Sequence, residues 1–167
     1  GKALKIRGEA CTKRDQRPFH KKIHYKGPVV IVAGSCSALE EHRLGPYRRL
    51  LTEALAGFEG EIISGGTTSG VSGIVAGLLS ELDKEERQGF KTIGYLPEMI
   101  PAKDAIVDKR YDKHVVTPGS GFTPLQPLQM WVDLLASEVQ PSQVKMVGVG
   151  GGKIAAMEYR LALALGA

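Results

Sequence analysis

Short stretches rich in apolar residues alternate along this chain with longer stretches of helical spacing. The short ones lie at 28–33, 62–63, 91–96, 115–116 and 144–149. The unbroken apolar run at 28–33 predicts a strand buried on both faces, as in a parallel sheet. Between the runs, Tyr47, Leu50, Leu51, Ala54, Leu55 and Phe58 mark the stripe of a helix over 45–58, with Pro46 near its start, where a missing N–H costs nothing. Val71, Ile74, Val75, Leu78, Leu79 and Leu82 predict a helix over 70–87. Further helices are expected over 125–139, around Trp131, and over 153–165, closed by Gly166 in the usual C-cap role. Pro97 is expected to close the third strand, and 98–112 reads as a polar, irregular insertion or lid. A weak alternation at 3–7 suggests an edge strand. Strands that alternate with helices predict a Rossmann-like, doubly wound α/β sheet, mainly parallel, with helices on both faces.

Four strand ends run into small residues. The first gives Gly34, Ser35, Cys36 and Ser37. The second gives Gly65, Gly66, Thr67, Thr68, Ser69 and Gly70. The third, after Val115 and Val116, gives Thr117, Pro118, Gly119, Ser120 and Gly121. The fourth gives Gly148, Gly150, Gly151, Gly152 and Lys153. In a parallel sheet such turns share one edge, where backbone N–H groups and helix N-termini favour anions. The pattern predicts a site for a phosphate-bearing ligand. Its candidate residues are Gly34, Ser35, Ser37, Gly65, Gly66, Thr67, Thr68, Gly70, Gly119, Ser120, Gly121, Gly150, Gly151, Gly152, Lys153 and Glu158.

Composition adds limits. The 167 residues suffice for one domain with a real core. No apolar run is long enough to span a membrane, and the charged start is unlike a signal peptide. Two cysteines, Cys11 and Cys36, do not make a disulfide framework, so a cytoplasmic setting is expected. The net charge of +4 is unevenly spread: residues 1–27 carry nine Lys or Arg against two acidic groups, leaving the remainder negative. Residues 1–27 read as a basic arm or linker and 28–167 as the domain. The arm has few aromatic residues for stacking on bases, so nucleic acid is not the expected partner. The chain stops directly after a helix, and is read as a module excised from a longer protein.

Common fingerprints fail. A dinucleotide-binding unit needs G-x-G-x-x-G after the first strand and an acidic residue after the second; here stand Gly34-Ser35-Cys36-Ser37 and Ser64-Gly65-Gly66. A P-loop ending at Gly152-Lys153 would need Gly at Val147 and a hydroxyl at Ile154. There is no nucleophile elbow and no zinc spacing.

The combination that remains is Val32-Ala33-Gly34-Ser35-Cys36-Ser37, then Ile62-Ile63-Ser64-Gly65-Gly66-Thr67-Thr68-Ser69-Gly70-Val71-Ser72-Gly73, then Gly150-Gly151-Gly152-Lys153-Ile154-Ala155-Ala156-Met157-Glu158. From 28 to the C-terminus it resembles the SLOG superfamily, which includes the LOG phosphoribohydrolases, the N-terminal region of TRPM channels and sensor domains of bacterial effectors. Residues 119–131 look most like the TRPM-type and effector-associated branch. The resemblance implies a sensor of an NAD-derived nucleotide, ADP-ribose-like or a cyclic variant, that regulates an attached effector. It requires no further cofactor, and a homodimer is possible by analogy.

The alternative is a LOG-like hydrolase of nucleoside monophosphates. LOG enzymes carry P-G-G-x-G-T-x-x-E, whose glutamate acts with a separate arginine. With Glu158 as that glutamate, Gly151 and Gly152 match, while Gly150, Ile154 and Ala155 replace the Pro, the third Gly and the Thr. Glu158 would be catalytic only in that reading. Otherwise it binds ribose, or it sits with Tyr159 and Arg160 on the solvent side of the helix. Lys153 either neutralises phosphate or is an exposed lysine. Ser35 and Ser37 either cap the loop or donate to phosphate. Phe122 and Trp131 either stack on a base or, for Trp131, fill the core.

Overall fold

The protein is described from a computed structural model, covering residues 23–35, 44–81, 89–100 and 105–167. The expected strand at 3–7, most of the basic arm, both cysteines, Ser37 and the end of the second helix lie outside the described residues.

Five strands form one sheet: β1 (Val29–Gly34), β2 (Gly60–Ser64), β3 (Phe90–Met99), β4 (Lys113–Ser120) and β5 (Val144–Val149). Their order is β4-β3-β2-β1-β5, and every neighbouring pair is parallel. The chain therefore builds outward from β1 to β4, then returns to β5 on the other side of β1. That reversal is the topological switch point, where open α/β sheets bind ligands beyond the strands' carboxyl ends.

The interior position of β1, between β2 and β5, explains its unbroken apolar run. Val30 and Val32 face one core with α1 (Gly45–Leu55) and α2 (Gly70–Glu81). Val29, Ile31 and Ala33 face the other, with α3 (Leu125–Ala136) and α4 (Lys153–Leu165). The two-residue period thus serves two buried faces. The β3–β4 connection has no helix among its described residues. Tyr111 fills the first core there, and its hydroxyl donates to the Ser72 carbonyl at 2.8 Å.

Several boundaries differ from the expectation. Pro97 does not end β3, which runs to Met99. β2 pairs β3 only as far as Gly94, so Pro97 lies past that ladder, and the register on its β4 side shifts between Pro97 and Met99. A strand tolerates Pro where a ladder bond is not required. The third glycine-rich turn is also displaced: Thr117, Pro118, Gly119 and Ser120 belong to β4, and Ser120 pairs with Met99. The α1 stripe is narrower than its periodicity suggests, because Leu51 and Leu55 are buried while Tyr47 and Leu50 face solvent. Trp131 is core. Within the basic arm, Ile23 and Tyr25 pack into the second core, and the Tyr25 N–H donates to Ser137 Oγ at 3.1 Å. Among the described residues no helix is long and apolar enough to cross a membrane.

Gly34 closes the switch point. A Cβ there would sit 2.2 Å from the Val149 carbonyl oxygen and 2.7 Å from Val71 Cγ2. The next residue, Ser35, donates its N–H to that same carbonyl at 3.1 Å and accepts the Val71 N–H at 3.0 Å. Gly34→Ala is expected to destabilise the fold by about 3 kcal/mol in chemical denaturation, the upper range of overpacking costs. Gly45→Ala, where a Cβ meets nothing within 4 Å, is expected to be close to neutral. Equal stabilities for the two variants would contradict this role for Gly34.

Candidate functional site

A cavity of about 610 Å³ opens at the carboxyl edge of the sheet, within the roughly 300–1,000 Å³ usual for ligand sites. Gly34, Ser64, Gly65 and Tyr95 form its floor, at the ends of β1 and β2 and within β3. One wall is the start of α3, with Phe122, Thr123, Gln126 and Met130; the other is the start of α4, from Gly152 to Glu158. The lining is mostly apolar. Its charged side chains are Lys153 and Glu158.

Of the residues expected from sequence, the fold brings Gly34, Gly65, Gly152, Lys153 and Glu158 to this cavity. Ser35 lies beneath, its backbone spent on Val149 and Val71. Gly66 packs on β3: a Cβ there would lie 2.9 Å from Gly94 Cα, and its carbonyl accepts the Asp108 N–H at 3.0 Å. Thr67 is buried and forms an isolated bridge with Val107. Thr68 and Gly70 line a different pocket. Gly119, Ser120 and Gly121 do not line the cavity; the Gly121 N–H donates to the Met99 carbonyl at 2.8 Å. Gly150 and Gly151 take positive φ of 60° and 111° and turn the chain into α4 without lining the cavity. The four turns therefore do different work. Some supply cavity wall, and others fasten loops together.

The α4 start is suited to an anion. Its N-cap is Gly152, with no side-chain cap, so the first-turn N–H groups are not satisfied by a capping side chain. The α3 start is not equivalent. Thr123 Oγ1 accepts the Leu125 N–H at 3.2 Å, and Pro124 and Pro127 have no N–H. Gln126 is buried and fixed: its Oε1 accepts the Thr123 N–H at 2.8 Å, and its Nε2 donates to Thr117 Oγ1 at 2.6 Å. Tyr95 is also fixed. Its hydroxyl donates to Asp133 Oδ2 at 2.7 Å and lies 2.7 Å from the Tyr25 hydroxyl. Tyr95 has one hydroxyl proton and gives it to Asp133, so Tyr25 must be the donor between the two. Burial raises both tyrosine pKa values.

Glu158 points into this setting with no hydrogen-bond or ion-pair partner among the described residues. Burial pushes its carboxyl from the usual 4.5 up to about 7, because loss of water penalises the charged form. Next to it, Tyr159 is not solvent-facing. Its hydroxyl donates its one proton to the Gly150 carbonyl at 2.7 Å, with the Ala33 carbonyl the alternative acceptor at 3.1 Å, which ties α4 to the β1 and β5 ends. Arg160 is exposed.

Sequence reasoning missed Thr123, Gln126, Tyr95 and Met130. A signal for two of them was present. Laid from Pro118, the motif P-G-G-x-G-T-x-x-E finds Pro118, Gly119 and Thr123 in place and Gln126 where the glutamate would stand. That register matches as many fixed positions as the one ending at Glu158. Tyr95 and Met130 gave no separate signal, because cavity lining and core have the same apolar pattern.

No protein-family model and no curated protein sequence matches the chain. Solved structures do. The molybdenum cofactor carrier protein of Chlamydomonas reinhardtii is similar with 23% identity and a TM-score of 0.55, over 83% of this chain and 72% of that one. A protein designated TM1055 is similar with 23% identity and a TM-score of 0.53, over 83% of this chain and 69% of that one. The likeness supports the parallel, Rossmann-like α/β fold described above.

The Glu158 shift has a consequence for stability. Below about pH 4.5 the carboxyl is protonated in both the folded and unfolded states, and the shift costs nothing. As pH rises toward 7 the unfolded chain releases its proton and the folded chain keeps it, so stability falls. Above about 7 the full cost remains, at most ~3 kcal/mol. Glu158→Gln is expected to raise stability at pH 8 and leave it unchanged at pH 4, measured by urea denaturation. A pH-independent difference would contradict the assigned cause.

Proposed function

We propose that this domain binds a nucleotide in the switch-point cavity and holds it without cleaving it. The observation that carries the reading is the cavity itself. It combines a helix start without a side-chain cap, bearing Lys153, an apolar body with Tyr95, Phe122 and Met130, and the Glu158 carboxyl, which has no partner among the described residues. Phosphate suits the α4 start, where backbone donors and the lysine add to the helix dipole. A planar base suits the apolar wall. A ribose hydroxyl suits Glu158, which accepts or donates according to its protonation. The NAD-derived ligand class, ADP-ribose or a cyclic variant, comes from the SLOG resemblance. So does the wider role, in which occupancy shifts the packing of α3 against α4 and thereby an attached effector.

Hydrolysis is the second reading, and the Glu158 pKa near 7 favours it, since a carboxyl poised there is suited to general acid catalysis. Against it, no arginine lines the cavity among the described residues, and Gln126 stands at the glutamate position of the second motif register. An amide cannot exchange a proton as a carboxyl does.

Calorimetric titration with ADP-ribose, AMP and molybdenum cofactor, the last being the cargo named for one structural neighbour, separates the readings. ADP-ribose is expected to bind without adenine or ribose 5-phosphate release. Lys153→Ala is expected to weaken it roughly tenfold, the value of one charged hydrogen bond. Turnover of AMP that Glu158→Gln abolishes would overturn the binding-only reading, and binding confined to the molybdenum cofactor would overturn the nucleotide.

A homodimer is also part of the proposal, on one observation. Leu125, Leu128, Val132 and Leu135 share a face of α3 at coiled-coil spacing and are 39–57% exposed. Asp133, the only charged residue of that helix, is buried on the opposite side. An uncharged stripe of this kind is self-complementary under two-fold symmetry. Light scattering is expected to report a dimer for the native chain and a monomer for Leu128→Lys. A native monomer at all concentrations would remove the dimer from the account.

A further inference from the structure

The hydrogen-bond inventory of the main cavity singles out one side chain. Four hydroxyls are among the lining groups, those of Ser64, Ser72, Tyr95 and Thr123. Ser64 Oγ donates to the Val32 carbonyl at 2.7 Å. It has no second hydrogen, so in its 3.1 Å contact with Ser72 the donor is Ser72. Tyr95 donates to Asp133 Oδ2 at 2.7 Å. Toward a ligand, Ser64, Ser72 and Tyr95 are therefore acceptors only. Thr123 Oγ1 is turned to Gln126 Oε1, a long contact at 3.5 Å.

Gln126 is different. It is only 4% exposed, yet it lines the cavity from the first turn of α3. Its amide is fixed at both ends. Oε1 accepts the Thr123 N–H at 2.8 Å, so the amide cannot turn over without setting N–H against N–H. Nε2 donates to Thr117 Oγ1 at 2.6 Å, and Thr117 in turn donates to the Leu96 carbonyl at 3.2 Å. An amide nitrogen carries two hydrogens. The second one on Gln126 has no acceptor among the described residues.

The surroundings sharpen the contrast. Phe122, Pro127 and Met130 share that wall and have no side-chain donor, and Pro124 and Pro127 have no N–H. The charged side chains of the cavity, Lys153 and Glu158, belong to the α4 wall. A buried donor without a partner is unfavourable, and the open space beside this one is the cavity. A ligand that supplies an acceptor relieves the penalty, and an analogue that lacks the acceptor is rejected.

We propose that Gln126 is the specificity-determining residue of this wall, its uncommitted Nε2–H recognising a ring-nitrogen acceptor of the base. The assignment rests on the nucleotide reading of the cavity, which sets the base against Tyr95, Phe122 and Met130. It fits a purine such as adenine, whose N1, N3 and N7 are bare acceptors at the ring edge. Phosphate suits this wall poorly, because Gln126 would be its one fixed donor there and the positive groups lie opposite.

Calorimetric titration of the full chain with ADP-ribose and with three analogues, each carrying C–H in place of adenine N1, N3 or N7, tests it. One analogue is expected to bind roughly tenfold more weakly than ADP-ribose, the value of one hydrogen bond, and the other two to bind much as ADP-ribose does. A Gln126 side-chain amide proton is expected to move downfield in the NMR spectrum with ADP-ribose and to stay in place with the weakened analogue. Gln126→Glu keeps an acceptor for the Thr123 N–H and lets the Thr117 hydroxyl turn to the carboxylate, so the anchors survive while the free donor is lost. In that variant the preference for nitrogen at the sensitive position is expected to vanish. Equal affinity of ADP-ribose and all three analogues for the native chain, an arm that needs no variant, would overturn the role of Gln126 and leave the nucleotide reading standing. A preference that persists in Gln126→Glu, or a Gln126 amide that ADP-ribose does not move, would overturn it as well. Absence of ADP-ribose binding would overturn both.

Discussion

The close approach of β1 and β5 at Gly34 is the constraint on which the rest depends. Without a Cβ, Gly34 lets the Val149 carbonyl come near enough for the Ser35 N–H to bond it. Ser35 in turn accepts from Val71, so one short turn joins the end of β1, the end of β5 and the start of α2. Tyr159 completes the junction by donating its one proton to the Gly150 carbonyl, with the Ala33 carbonyl the alternative acceptor. These bonds fix where α4 begins, and with it the uncapped N–H groups that face the cavity. The site therefore follows from backbone packing before any side-chain chemistry is added.

On the opposite side the cavity wall is held by buried polar links. Gln126 joins the Thr123 backbone to Thr117 in β4, and Asp133 accepts the Tyr95 hydroxyl hydrogen bond while Gln129 Nε2 donates to its other oxygen at 2.9 Å. Tyr25 extends that chain into the N-terminal segment. A fully satisfied buried network is rigid and specifies one arrangement. Glu158 is the contrast. It is the acidic group at the cavity, it lacks a partner among the described residues, and its carboxyl is destabilised by burial. Strain of that kind is relieved by a ligand that supplies a hydrogen bond.

Much of the fold was legible in the residues. The unbroken run at Val29–Gly34 marked an interior parallel strand, and the α4 bounds, with Gly166 at φ 82°, followed from helical spacing and a glycine cap. Pro97 misled, because a proline signals a strand's end only where its N–H is needed, and here it is not. The candidate site was legible in part. Glycines were chosen for nearness to ligand, yet glycine also permits backbone to meet backbone, and Gly66 against Gly94 is of that second kind. Sequence alone does not separate the two uses. Gln126 has no signal in the motif register that ends at Glu158, whereas Pro118, Gly119 and Thr123 support the register that ends at Gln126 equally well.

The most direct test is a crystal structure of the chain grown with ADP-ribose. The account predicts a phosphate against the N–H groups of residues 153–155, the adenine against Tyr95, Phe122 and Met130, and Glu158 within hydrogen-bond distance of a ribose hydroxyl. A nucleotide bound elsewhere on the fold, with this cavity empty, would contradict it.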